Sequence, residues 1–493
     1  MALPASQRAR RPMRQTVKSV VAPVGGLNTR DALDAMPPSD AVVLENWYPD
    51  TGKVIGRRGM QLFATLGGSI DTLAELNAGA VRQLVAAGNG KLYNAAAGTT
   101  LATGFGSNQW QAVNFRANLF LVNGVDAEQV YDGTTVSAAG WTGMAAPAVG
   151  IHIFAGRVWL WEPSSQTPYY AGLGNITGAV TAFPLNRVAR FGGNLIAMGT
   201  LSRDSNEGPQ NYCAFVMDTG EVIVYFGTDP ATWALVGSYL ISPPLSVRSV
   251  VGVAGDLALI TQTDYAFLSD IMNKGLVQGD NTKMVGALVA AVQAGANLFG
   301  WQIIHYPAGK FLMANVPNSD GTYSQHVLNT VTNAWTIFKG WNARSWSLFN
   351  DRLYFGAADG NVYLADSGTT DAGAAITLDG RQAWNDFREP FRKRVMIWRP
   401  VLQITGNVSY AAGIGYDFVD ATLPTPTAIQ SGGTQWDVGQ WDSFQWFGGA
   451  QVQLGWGVSG GTGQAISPRI YIQNESTVSW LRSDFRMESG INL

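Results

Sequence analysis

Between residues 75 and 368 the chain alternates short apolar runs with residues that favour tight turns. Leu353-Tyr354-Phe355-Gly356, then Asp359-Gly360, then Asn361-Val362-Tyr363-Leu364 is one such unit. The Asp-Gly pair suits a type I′ turn, so two antiparallel strands are predicted here. A turn followed by an apolar strand recurs at Asn89-Gly90-Lys91-Leu92-Tyr93, Ala155-Gly156-Arg157-Val158-Trp159-Leu160 and Gly193-Asn194-Leu195-Ile196. It returns at Thr219 to Val224, Gly255 to Leu259 and Ala308 to Leu312. The spacing is irregular, which excludes a tandem array of identical repeats. A β-propeller tolerates such drift, because each blade buries its faces only against its two neighbours and the rim loops lengthen freely. The fold expected is therefore all-β: an irregular β-propeller of six blades over 71–370, preferred to a sandwich. The stretch Gln325 to Asp366, with strands at Val327, Trp335 and Trp346 before the hairpin, reads as one blade.

The flanks read differently. A β-rich C-terminal domain is expected over 371–493, opening on a charged stretch that includes Glu389-Pro390-Phe391-Arg392-Lys393-Arg394. That cluster suits either an acidic neighbour or a strand edge blunted by charge. Farther on, Trp436, Trp441, Trp446 and Trp456 lie close together beside Asp437 and Asp442. Rings next to carboxylates can stack on a sugar, but Trp is also enriched in cores and subunit interfaces, and the latter reading is preferred. At the other end, residues 25–70 are expected to form a short docking segment. Pro37-Pro38 stops any preceding helix, Ser39 or Asp40 can cap a new one carrying Val43 and Trp47, and Tyr48 to Gly52 supplies a turn before Lys53-Val54-Ile55. Helix, turn and strand follow in that order. Residues 1–24 read as a flexible basic arm carrying Arg8, Arg10, Arg11, Arg14 and Lys18, without the apolar core of a secretory signal.

Composition narrows the classes of function. Of 493 residues 46% are hydrophobic and only 14% charged, so the surface is unusually neutral and suits burial in an assembly. A formal net charge of −3 argues against tight, phosphate-neutralising binding of nucleic acid, although not against letting it slide past. Cys213 is the only cysteine, which excludes an intrachain disulfide. The longest apolar run, Met284 to Val292, is too short to span a bilayer. His152, His305 and His326 are scattered without metal-ligand spacing, and each is expected to be structural. Gly455-Trp456-Gly457-Val458-Ser459-Gly460 matches a dinucleotide fingerprint only as a string, since no amphipathic helix follows. Ser319-Asp320-Gly321-Thr322 lacks the spacing of a sialidase Asp-box. No cofactor and no enzymatic activity are expected.

One ordered set of residues remains: Gly25, Gly26 and Asn28, then the proline pair and Asp40, then Asn46-Trp47, then Arg57-Arg58-Gly59. In that order of elements the segment resembles the N-terminal signature of the tail nozzle proteins of short-tailed bacteriophages (podoviruses), the tail tubular protein B family. The tryptophan strand before the last hairpin also resembles a blade of that family. The resemblance is strongest over 25–59 and textural beyond. It implies a virion structural protein, assembled in the host cytoplasm, whose homo-hexamer sits beneath a dodecameric adaptor ring under the portal. Such a nozzle holds the double-stranded genome in before infection and conducts it during ejection, opening on contact with the host cell surface, with tail fibres or tailspikes as further partners. It also makes the signature residues candidates for docking within the tail, with Trp47, Arg57 and Arg58 foremost. The alternative is a tail-associated propeller that binds a receptor or degrades a glycan, for which Trp436, Trp441 and Trp446 are the stacking or interface candidates.

Overall fold

The computed structural model describes residues 15–205, 208–274, 282–406, 408–429, 451–453 and 455–490. The chain divides into two compact units, 58–374 and a second made of 1–57 together with 375–493.

The first unit is the propeller. Its sheets follow one another along the chain and each begins on an inner strand: Ile70–Ala78, Gln111–Phe115, Gly150–Phe154, Leu195–Ser205, Val250–Val253, Gln302–Tyr306 and Ala343–Phe349. Each inner strand packs against the next, and the last packs back on the first. Six of the sheets are four-stranded blades, the number expected, and a three-stranded sheet, Val250–Val253, Asp256–Ile260 and Tyr265–Phe267, is set into the same ring. Two helices follow that smaller sheet, α1 (Leu268–Lys274) and α2 (Val285–Gly295), the second built from the long apolar run. Among the described residues no helix is long and apolar enough to cross a membrane.

The core lies between neighbouring sheets, as the alternation of apolar positions requires. Leu76, Val85 and Leu92 of one blade meet Trp110, Leu119 and Leu121 of the next. Trp159, Trp161, Phe215 and Tyr225 fill a later gap, with Trp159 and Trp233 stacked at 4.9 Å between ring centroids. The final blade is completed from the opposite end of the unit: Met60–Thr65 pairs antiparallel with Asn361–Ala365. This closure removes the free edge that a terminal sheet would otherwise present. The hairpin at Asn89-Gly90 has both central residues at positive φ, 53° and 66°, as a type I′ turn demands. Asp359-Gly360 differs from expectation. Only Gly360 is left-handed, at φ 83°, and the loop between Arg352–Ala357 and Asn361–Ala365 is three residues long, so this turn belongs to the class with one left-handed closing residue.

The second unit interleaves the two ends of the chain. In one sheet Lys393–Thr405 pairs with Thr477–Ser489, which pairs in turn with Gln15–Val21 and with Lys53–Gly56, hairpin partner of Trp47–Asp50. In the other, Asp40–Glu45 pairs with Ile376–Gln382, then follow Ile466–Asn474, Val408–Tyr416 and Thr427–Ile429. Two expectations are corrected by these pairings. The helix expected from Ser39 to Trp47 is instead strand, corner and strand, because pairing with Ile376–Gln382 satisfies backbone groups that a one-turn helix would leave open. Part of the expected basic arm is likewise a strand, Gln15–Val21, and the segment 25–57 shares a unit with the C-terminal strands rather than standing apart.

Candidate functional site

The signature residues from Gly25 to Arg57 form an interlocked framework in the second unit, while Arg58 and Gly59 begin the propeller. Gly26–Leu27 lies parallel to Asp40–Ala41, and a Cβ at Gly25 would fall 2.1 Å from Asp40 Oδ1, so no side chain fits there. Gly26 itself is left-handed at φ 81°. Asn28, 1% exposed, donates through Nδ2 to Asp40 Oδ2 and Asp31 Oδ2, both at 2.8 Å. Its Oδ1 accepts from the amides of Arg30 and Asp31, an Asx turn that reverses the chain. Gln382 ties the same corner by donating to the carbonyls of Val21 and Pro38.

Asn46 is where the chain leaves one sheet for the other. It takes φ 59°, a conformation that Asn tolerates better than most residues. Its Nδ2 donates to Thr377 O at 2.7 Å, and its Oδ1 accepts from Arg57 Nε at 2.8 Å. The amide of Arg57 donates to Asn46 O, so Arg57 locks the corner with both main chain and side chain. Trp47, fully buried, then lies against Trp480 at 6.0 Å between centroids. Gly380 leaves room for both rings: a Cβ there would be 3.0 Å from Trp480 and 3.1 Å from Trp47. Gly59, in the propeller unit, has no space for a side chain either, since its Cβ would fall 1.9 Å from Thr370 O. Of the nine signature candidates only Arg58 is exposed. Trp436, Trp441 and Trp446 lie outside the described residues.

Charged residues that sequence reasoning passed over complete the frame. Arg469 grips Asp379 with two bonds, 3.0 and 2.6 Å. Asp484, 3% exposed, accepts from Ser19 Oγ, Arg399 Nε and Arg482 Nε. Burial works to raise its pKa, but these bonds outweigh it and hold the carboxyl below the usual range. Arg399 also lies 4.5 Å from the ring centroid of Trp456. Lys393, fully buried, donates to the carbonyls of Glu389, Phe391 and Gln464, which explains one member of the basic cluster as an internal staple.

Among the inner strands of the propeller a second group converges. Arg248 donates to Asp71 O, Thr72 Oγ1 and Trp110 O at 2.8–3.0 Å, and burial pushes its guanidinium down to about 10. Beside it Arg344 pairs with Asp71 at 2.6 Å, and both guanidiniums face the Phe299 ring. Cavities of about 350 and 490 Å³ share Gln111 and Arg248 as lining. Single charges beside apolar residues at the start of an inner strand, such as Asp71 after Ile70 within its strand or Arg248 in the turn just before Val250–Val253, are the sequence signal that could have found this pin. Two of the three histidines are held in polar contacts: His152 bonds Thr200 Oγ1 and burial lowers it to about 4, while His326 bonds Tyr265 Oη and burial lowers it to about 3. Among the described residues no group of three or more His, Cys, Asp or Glu side chains is placed to hold a metal.

No family model matches the chain, and no curated protein does. Solved structures are similar to it only at low identity. They include the computationally designed Ika8 protein, at 10% identity over 66% of this chain and 96% of that one, with a TM-score of 0.37. Raptor of Chaetomium thermophilum is 12% identical over 63% and 29%, at 0.40. BBS1N, solved in complex with ARL6DN, is 8% identical over 67% and 100%, at 0.41. Likeness this low carries no information on activity.

Proposed function

We propose that the protein is the nozzle subunit of a short phage tail, six copies of which form a ring whose bore carries the double-stranded genome outward. The observation that carries this reading is the joint order of Gly25-Gly26, Asn28, Asp40, Asn46-Trp47 and Arg57-Arg58-Gly59. Each piece alone is ordinary turn and strand chemistry; the complete order resembles one family. Its burial as an interlocked framework supports treating it as a unit, since these residues constrain one another through Asn46, Arg57 and Asp40. Low charge supports it too: a wall with few cations does not hold phosphates by displacing their counterions, so DNA can move. A bore somewhat above about 20 Å is needed for the duplex, judged from its groove dimensions. A closed cyclic ring gives each copy two different contact faces. Within this reading Arg58, as the exposed signature residue, is the docking contact, and a dodecameric adaptor, fibres or tailspikes, and the host surface are partners.

Electron-microscope class averages of the purified protein, alone and with its adaptor, test the proposal. Six-fold rings with an axial hole are expected. A monomer that cleaves or binds host polysaccharide, with the activity lost on Trp441→Ala, would replace the nozzle by the glycan reading.

A further inference from the structure

A cavity of about 740 Å³ opens in the second unit, lined among others by Trp384, Phe387, Phe418, Asp34, Asp386 and Asp417. Its walls are built rather than incidental. Trp384 and Phe418 meet at 5.1 Å between centroids, and Phe418 remains 48% exposed. Trp384 is 5% exposed, and its indole N–H has no hydrogen-bond acceptor among the described residues. Asp417 Oδ1 accepts from the amides of Gln464 and Ala465, and Asp386 Oδ1 accepts from the amide of Arg388. The Lys393 staple holds the 389–391 loop to Gln464, fixing both sides of the opening. Phe387, Arg388, Asp417 and Phe418 all carry positive φ, between 49° and 67°. Three carboxylates, all exposed, and one cation, Arg388, therefore surround an aromatic floor.

We infer that this cavity receives the basic segment 1–14 of the chain, its arginines set between the carboxylates and over the aromatic rings. Carboxylates favour a guanidinium, and ring faces attract one. The segment supplies Arg8, Arg10, Arg11 and Arg14 without an acidic residue. It joins the fold beside the cavity. Gln15 is paired with Glu488, Glu488 with Arg394, and Arg394 with Thr462, two residues before Gln464 of the lining. Three inter-strand steps are about 14 Å. Lys18 pairs with Glu389 at 3.1 Å, next to Arg388 of the lining. Fourteen residues reach roughly 45 Å when extended, more than enough to enter the cavity of the same copy.

Limited trypsin digestion of the full chain tests this, reading the rate of cleavage after Arg8, Arg10 and Arg14 by mass spectrometry. Docking protects these bonds. Asp34→Asn with Asp386→Asn is expected to speed cleavage about fivefold, from the loss of two exposed ion pairs. Phe418→Ala, which changes no charge, is expected to speed it about threefold. Added peptide of residues 1–14 competes for the cavity and accelerates cleavage in the wild type, as does raising the salt. Equal cleavage rates in wild type and both variants would overturn the inference, as would a peptide that binds duplex DNA but leaves the wild-type rate unchanged.

Discussion

Asp366 offers a sharp test of the electrostatics of the propeller. It sits after the strand Asn361–Ala365 with φ 51°, and burial raises its pKa from 3.8 to about 6, with Arg58 pulling the other way. The folded chain therefore keeps this proton through a pH range in which the unfolded chain has lost it. Stability from the group is complete below the unfolded value and is lost as pH rises through the folded one. A rise of this size corresponds to about 3 kcal/mol over that window. Asp366→Asn removes the charge, keeps the shape, and tolerates the left-handed backbone. Urea unfolding followed by tryptophan fluorescence is expected to show the variant more stable than wild type by about 2–3 kcal/mol at a pH of about 7.5, the gain shrinking toward zero near a pH of about 4. Arg58→Gln is expected to steepen the wild-type pH dependence. A gain that is the same at every pH, or a loss in the alkaline arm, would refute the reasoning, since either means the buried charge is not what Asn relieves.

Two further predictions concern how the propeller is held closed and pinned. Gly59→Ala drives a methyl into Thr370 O, so the pairing of Met60–Thr65 with the last blade should loosen; amide hydrogen exchange of residues 60–65 is expected to accelerate while blades remote from the closure keep their protection. Arg248→Met leaves the carbonyls of Asp71 and Trp110 and the Thr72 hydroxyl without this donor, which should destabilise the propeller by about 3 kcal/mol or more in urea unfolding.

What was legible in the sequence was what local chemistry decides. Asn89-Gly90, Gly156 and Gly255 announce hairpins because Asn and Gly tolerate the left-handed turn positions, and the apolar runs after them are short enough to read as buried strands. Propeller architecture followed from many such units in a row. Long-range pairing was not legible. Met60–Thr65 belongs to a blade nearly three hundred residues later, and its half-exposed pattern carries no sign of a partner. Around Ser39 to Trp47 the prolines and capping residues gave every local sign of a helix, yet Ile376–Gln382 supplied a strand partner and tertiary pairing won. Asp359-Gly360 carried the right dipeptide for a two-residue turn, but Ala358 joined the loop and changed its class.

The order of the signature follows from this architecture. Gly25-Gly26 brings the chain into parallel register with Asp40–Ala41, Asn46 turns it from one sheet to the other, Arg57 locks that corner, and Gly59 admits the next strand to the propeller's last blade. These steps occur once along a continuous chain, and each residue has a task inside the fold. A substitution at Asn28, Asp40, Asn46, Trp47 or Arg57 therefore disturbs the unit itself before it disturbs any interface, and loss of assembly in such a variant says nothing about docking. Arg58 is exposed but also acts on Asp366, so a charge reversal made in the Asp366→Asn background separates the two effects: an intact fold with a lost ring or adaptor contact assigns the interface to this position.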